Sequence, residues 1–467
     1  NYDSSSEEEC RSGPSNSNYF YNYISNSYDP LIHVYLPRKK DKKLDDELDN
    51  KAKIIDFKDK RMKNLPKTLK NCSEVETLDL EENCLTYECF DIITELKKLK
   101  KLILVDNMID KIPESLCEMN DLRFLDIGYN CFRKIPKSFS TMSIKTLNLD
   151  NFFYNSKDKE ISYSEKIDIL KIVFHMKNLI TLSFKDNATG NITIDLNTSS
   201  NIENLNLRNN NISEIPSFIL SLEKLKYIDI SNNKITTIIP LNSLKELNYV
   251  KIEENNISNI LPGTFHSLEK LKISITPETS FPLLNINEKQ KLKTLKIIKT
   301  KISPEFAQEI FKIHTIQSLT LFSCNHENIM NGIEQMTELQ ELKIYCKTEK
   351  VYPPRFTPLK NLRSISIFSL NACYTTDESF YENLKDILTL KNLEMDRQLS
   401  TYMHRAPYIF NIIGLKKLTI TKCHINNFKG FILLRKLKSL EIKRRGIIDI
   451  EKENIIHLNK LDTIRVE

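Results

Sequence analysis

The apolar positions of this chain fall into one recurring pattern. In "LNLRNNNISEIP" (Leu205–Pro216), two leucines alternate with polar residues, three asparagines follow in a row, and apolar residues then resume. The same outline returns at "LDLEENCL" (Leu78–Leu85), "LILVDNMI" (Leu102–Ile109), "LDIGYNCF" (Leu125–Phe132), "IDISNNKI" (Ile228–Ile235) and "VKIEENNI" (Val250–Ile257). Another apolar residue stands three positions before each. The unit is L-x-x-L-x-L-x-x-N-x-L, recurring about every 23 residues. A fixed period of that size marks a repeat architecture.

The L-x-L segment has the period of a β-strand, so its leucines face a core and the residues between them face outward. The chain must then turn at the asparagine. An amide side chain there is able to donate to, and accept from, backbone groups that would otherwise be buried and unpaired. In the segment Leu205–Pro216 this role falls to Asn210, and its neighbours Asn209 and Asn211 are expected to be more exposed. The same role is expected of Asn83, Asn107, Asn130, Asn187, Asn233 and Asn255.

The register runs from Ala52 to the end of the chain. Units begin at Ala52, Val75, Leu99, Leu122, Ile144, Leu179, Ile202, Leu225, Leu247, Leu268, Leu292, Ile316, Leu339, Leu362, Leu390, Leu415, Leu437 and Leu461, 18 in all. Most steps are 21 to 25 residues; the steps from Ile144 and Leu362 are 35 and 28. The first insertion, near 155–178, carries "SEKIDILKIVFHM", which has helical amphipathicity. The second, near 371–389, carries "DESFYENLKDILTL" with an acidic first turn. "SPEFAQEIFKI" (Ser303–Ile313) reads as a helix on the return path, with Ser303 placed to cap and Pro304 at the first helical position. The pattern is regular to about residue 265 and degenerates after it, with Cys324 and Cys423 among the residues standing where asparagine would be. Residues 1–51 read as a disordered and charged segment with a possible short cap, and 52–467 as the repeat array.

The chain resembles the leucine-rich-repeat family over about nine tenths of its length. The recurring motif, the seven asparagines and the apolar-Pro pairs Leu65-Pro66, Ile112-Pro113, Ile135-Pro136 and Ile215-Pro216 carry that resemblance. They are similar to the intracellular subclass of 22–24-residue repeats found in signalling scaffolds and phosphatase regulators. The resemblance implies an α/β fold: a leucine-rich-repeat solenoid, or horseshoe, with a concave parallel β-sheet and convex short helices and loops. It also implies protein binding rather than catalysis. Extracellular members usually carry cysteine-clustered caps, and no such cluster flanks this array. The expectation is a cytoplasmic or nuclear protein, although a removed leader stays compatible with a chain that opens on Asn1.

Composition removes several function classes. No run of 18 apolar residues occurs, so no membrane-spanning helix is expected. Only eight glycines are present, too far apart to build a phosphate-cradling loop. Ten cysteines occur without a C-x-x-C pair, and Cys84 and Cys131 sit two repeats apart, roughly 10 Å at the strand spacing, beyond disulfide reach. Buried, reduced thiols are expected. The eight histidines are scattered, and no catalytic constellation is visible, so no cofactor, metal or small-molecule substrate is expected. Sequons at Asn71, Asn187, Asn191, Asn197, Asn211 and Asn256 match the level of chance in so Asn-rich a chain. A net charge of +6 is small for 467 residues, and nucleic acid is an unlikely partner.

What remains is the outward face of the sheet. The residue between the two strand leucines runs from acidic or neutral (Asp56, Asp79, Ile103, Asp126, Asn148, Ser183, Asn206, Asp229) to basic (Lys251, Lys272, Lys296, Lys343). The residue after the second leucine is Ile298, Phe322, Tyr345 and Phe368 in four consecutive repeats, spaced 24, 23 and 23. Aromatics in one outward column, rimmed by Lys296 and Lys343, have the composition of a binding hot spot. The expected function is a non-catalytic scaffold that grips another protein. The alternatives are a regulatory repeat region of a larger enzyme, or a secreted recognition protein.

Overall fold

The computed structural model describes residues 48–153, 161–195, 200–241, 243–261, 267–276, 279, 291–298, 304–324, 332–346, 350–351, 359–369, 375–376, 384, 386–396, 410–421, 431, 433–443 and 461–466. Most of residues 1–51, and the acidic stretch at the start of the second insertion, lie outside this set. The chain divides into two units, one of residues 1–212 and 216–228 and the other of 213–215 and 229–467.

In the first unit, seven three-residue strands stack in parallel. They are Ile54–Asp56, Thr77–Asp79, Lys101–Ile103, Phe124–Asp126, Thr146–Asn148, Thr181–Ser183 and Asn204–Asn206. The expected register holds at each step: Ile55 pairs with Leu78, and then Leu102, Leu125, Leu147, Leu182 and Leu205 follow in line. Every one of these leucines is fully buried. The 35-residue step is absorbed without disturbing the stack, because its extra residues form the helix Tyr163–Phe174. Ser162 and Glu165 close a capping box at its start, and Ile169, Leu170, Val173 and Phe174 are buried. In four other repeats the return path carries a single turn. Pro66, Pro113, Pro136 and Pro216 each stand just before such a turn, as N-caps of Lys67–Asn71, Glu114–Cys117, Lys137–Thr141 and Ser217–Ser221. Proline suits that place because it fixes φ and has no N–H to leave unpaired.

The second unit carries ten longer parallel strands, from Tyr249–Ile257 to Thr463–Val466. The register stays intact where the motif loosens. Leu271, Leu295, Leu319, Leu342, Ile365, Leu393, Leu418, Leu440 and Ile464 pair in succession. The helix Pro304–Phe311 forms on the return path as expected. The strand Tyr227–Asp229 spans the division between the two units.

Asparagine completes the design. The Nδ2 of Asn107 donates to Leu80 O of the preceding repeat (2.9 Å) and to Leu104 O and Val105 O of its own, while its Oδ1 accepts from Leu85 N. Asn83, Asn130, Asn187 and Asn255 repeat this arrangement. Asn210 bonds Phe184 O and Arg208 O and accepts from Asn187 N, and Asn233 donates to Ile230 O and Ser231 O. The residue before each has left-handed backbone: Glu82, Asp106, Tyr129, Asp186, Asn209, Asn232 and Glu254 have φ between 54° and 61°. The asparagine run in "RNNN" is thereby explained. Asn210 is buried and makes the bonds, whereas Asn209 and Asn211, both exposed, hold φ values of 55° and 59° that asparagine tolerates better than most residues.

Cys72, Cys84, Cys89, Cys117 and Cys131 are free thiols. Cys72 and Cys89 are buried as expected, but Cys131 is exposed and Cys84 and Cys117 are only partly covered. They follow or lie outside the turn, where the chain has left the core. Burial raises the Cys89 thiol to about 12.

Replacing Asn210 by Ala should cost about 2–4 kcal/mol in urea unfolding, because three backbone groups, two of them buried, lose a partner. Asn209→Ala should cost only about 1 kcal/mol, the left-handed backbone penalty, and Asn209→Gly close to nothing. Equal losses for all three variants would contradict this division of labour.

Candidate functional site

Each strand sends its second and fourth positions inward and its first, third and fifth outward. In the first unit the third position was expected to be a solvated acidic-to-neutral row. It is instead a second structural ladder. Asp56, Asp79, Asp126, Asn148 and Asn206 each accept, through Oδ1, the backbone N–H two residues on, at 2.8 to 3.2 Å. Asp126, Ser183 and Asn206 are buried, at 1%, 0% and 5% exposure. Repeats spaced at strand distance leave little solvent between short side chains that already bond their own backbone.

Burial has electrostatic consequences in this row. Asp79 is half-buried beside Glu81 and Asp56, and its carboxyl rises from 3.8 to about 6. Desolvation is the main cause, and the two like charges add to it; the Glu81 N–H and Lys58 act against them. Further along, Asp150 is buried against Lys185 (3.4 Å) and accepts from Ser183 Oγ at 2.6 Å. The Lys185 ammonium lies over the Tyr129 ring, and the Tyr129 hydroxyl donates to Asp186 at 2.7 Å. Burial and Asp186 both push the Tyr129 phenol up. All these groups are occupied in holding the sheet face together.

The second unit contains the residues proposed for binding. Lys251, Lys272, Lys296, Thr320 and Lys343 pair in one row, as the spacing requires. The row is not a bare positive stripe. Lys251 reaches Asp229 (3.5 Å), Lys296 reaches Glu253 (3.2 Å) and Lys343 reaches Glu341 (2.9 Å). The bond to Glu341 raises the Lys343 ammonium. Glu341 is lowered despite its burial, because Lys343 and Ser318 both bond it. A feature the sequence reading missed lies at the first position: the ammonium groups of Lys251, Lys270 and Lys272 stand 5.8–5.9 Å from the centre of the Tyr249 ring. Its signal was a tyrosine at a first position with lysine on the neighbouring strand.

The fifth-position column also forms. Ile298 pairs with Phe322, Phe322 with Tyr345, and Tyr345 with Phe368. The expected register holds here, with Ile297, Leu321 and Ile344 the buried residues before them on the same strands. Phe322 and Tyr345 are half-exposed and their rings meet at 4.7 Å, tilted by 36°. Ile298 differs from the expectation: it is 8% exposed, covered by its neighbours in the sheet. The Phe368 side chain lies outside the described residues. Among the described side chains, the accessible part of the column is the Phe322–Tyr345 pair.

No group of three or more His, Cys, Asp or Glu side chains among the described residues is arranged to hold a metal ion. No described helix is long and apolar enough to cross a membrane. A pocket in the first unit is lined by Leu170, Phe174, Phe184, Ile192, Leu207 and Phe218, with Thr189 its only hydroxyl and no titratable group.

Comparison with known proteins matches residues 200–246 to a family model described as Leucine Rich repeats (2 copies). A stretch of 185 residues is 25% identical to adenylate cyclase of Schizosaccharomyces pombe, covering 36% of this chain and 11% of the cyclase. The chain thus spans about a tenth of that relative's length. A leucine-rich-repeat protein of Leptospira interrogans superposes with a TM-score of 0.51 at 20% identity, covering 90% of this chain and 96% of that one. The TLR13–ssRNA13 complex matches with a TM-score of 0.50 at 15% identity, over 87% of this chain and 77% of that one. At these identities the likeness is one of fold.

The raised carboxyl of Asp79 sets a pH dependence. Its folded value lies above its unfolded one, so its protonated form favours folding. That contribution is complete below about 3.8 and is lost as pH rises through about 6. Asp79→Asn keeps the bond from Glu81 N–H and removes the buried charge. It should stabilise the protein by roughly 1–3 kcal/mol at pH 7.5 and by nothing near pH 3.5, as followed by thermal melts across pH. A gain independent of pH would refute the assignment.

Proposed function

We propose that this chain, a leucine-rich-repeat protein, works as a non-catalytic scaffold that binds a protein partner on the outward sheet face of its second unit, in intracellular signalling or regulation. The observation that carries this reading is the half-exposed pair Phe322 and Tyr345 on adjacent strands of a regular sheet. Large rings held rigidly on strands offer contact area at little cost in conformational entropy, and such rings dominate binding energy at protein interfaces. Ile298 below them and Phe368 in the next strand continue the column. Lys296 and Lys343 beside them are held by Glu253 and Glu341, so a partner's carboxylates would compete with these residues for the ammonium groups. Lys251 and Lys272, gathered at Tyr249, extend the surface toward lower repeats.

The partial likeness to a fungal adenylate cyclase favours one second reading, in which the array is the regulatory repeat region of a larger enzyme. A catalytic domain in the same open reading frame would decide for it.

Capture of partners from the native cell, with mass spectrometry, tests the first reading. Phe322→Ala and Tyr345→Ala should each leave the melting temperature nearly unchanged and weaken binding of the captured partner by about 1–4 kcal/mol. A large loss of thermal stability would make these rings core residues. Undiminished binding would move the interface elsewhere.

A further inference from the structure

A different surface of the second unit departs from its own repeat pattern. Before eight of the described strands the chain makes the same small turn, in which a backbone N–H bonds the carbonyl two residues back. The bonding residues are Ser73, Lys97, Lys245, His314, Thr337, Leu388, Ile413 and Arg435, with distances of 2.9–3.2 Å. This position points to solvent, and in the earlier repeats it is polar and exposed, as turns require. In two consecutive later repeats it is aliphatic: Leu388 is 81% exposed and Ile413 61%. In the next repeat the apolar residue moves to the carbonyl position of the turn, where Leu433 is 52% exposed. The corresponding residues in the other repeats are Asn71, Glu95, Ser243, Lys312, Gln335, Asp386 and Asn411. The three strands concerned pair in direct succession, so the aliphatic tips line one edge.

Most of the exposed charges around these tips are basic. Arg363, Lys391, Lys416 and Lys438 form a continuous column, linked by backbone bonds of 2.7–2.8 Å from each N–H to the carbonyl of the one before, and all four are exposed. Lys360, Arg435 and Lys436 are exposed at or beside the turns themselves. Against them stand exposed Asp386 and Asp462, the latter 3.5 Å from Lys438.

We propose that this turn edge docks on an anionic lipid surface, with Leu388, Ile413 and Leu433 entering the headgroup layer and the basic column facing lipid phosphates and carboxylates. Charge complementarity selects the partner. So does size: three aliphatic tips fall well short of the roughly 800 Å² per partner that a stable protein interface covers, whereas a few apolar tips ringed by lysine and arginine suffice for reversible membrane attachment. The attachment is peripheral and leaves the sheet face free.

The test is co-sedimentation of the full chain with vesicles of phosphatidylcholine alone and of phosphatidylcholine with phosphatidylserine. Binding should require the anionic lipid and fall as salt is raised. Leu388→Glu with Ile413→Glu, and separately Lys391→Glu with Lys416→Glu, should each weaken it at least about tenfold, with melting temperatures unchanged because all four side chains are exposed. Failure of the unaltered chain to sediment with anionic vesicles would overturn the proposal, as would binding indifferent to both double variants. Self-association that Leu388→Glu abolishes, or binding of polyglutamate as tight as that of the vesicles, would assign the edge to a protein and overturn it equally.

Discussion

One hydrogen-bonding arrangement supports the rest of the first unit. Where each strand ends, the chain turns inward and carries peptide groups into the core, away from water. The motif asparagine reaches two carbonyls of its own turn and, in most repeats, one carbonyl of the repeat before, while its oxygen takes an N–H from a neighbouring segment. Each repeat is thereby fastened to the last by groups that would otherwise be buried unsatisfied, at a cost of about 1–3 kcal/mol apiece. The leucines supply the burial, but leucine packing alone would not fix where the turn falls. The left-handed residue before each asparagine does that, since it directs the amide into the core.

The end of this ladder changes the sheet. Asn255 is the last of the seven motif asparagines, and Glu254 the last left-handed non-glycine residue among those described. Strands of the first unit are three residues long; the strand that holds Asn255 is already nine, and those of the same sheet after it run to between four and seven. The third position changes with them. Aspartate and asparagine there bond the backbone two residues ahead, a bond that lysine cannot accept, and the lysine and threonine repeats have the longer strands. A longer strand carries its fifth position into the sheet. For that reason the repeats around Phe322 and Tyr345 present an aligned column, while the equivalent residues Glu81 and Asp150 of the first unit sit at the start of a turn.

The two surfaces of the second unit are built from different parts of the repeat. The sheet face is rigid and its charges are largely matched, with Lys251, Lys296 and Lys343 each held by a carboxylate. Its exposed rings suit a partner with a shaped apolar surface. The turn edge has exposed aliphatic tips and a basic column whose only ion pair among the described residues joins Lys438 to Asp462. An apolar tip at a turn contributes little to the core.

The sequence by itself determined the repeat, its register and the residues of the core. A motif of this length recurring 18 times leaves few ways to place leucines inward, and within each unit the pairing follows it, from Ile55 to Leu205 in the first and on to Ile464 in the second, even where asparagine is lost. It also determined that Ile298, Phe322, Tyr345 and Phe368 would share a column, since they hold the same motif position in successive stacked repeats. Only the tertiary structure decided what those positions experience. Ile298 is covered and Tyr345 is not; Asp126 and Ser183 are buried rather than solvated; three of the lysines are paired; and Cys131 is exposed. Exposure and pairing depend on the residues one and two repeats away, about 23 and 46 positions along the chain. A periodic pattern fixes which residues are neighbours, whereas their burial and charge depend on how far each side chain reaches and what it meets.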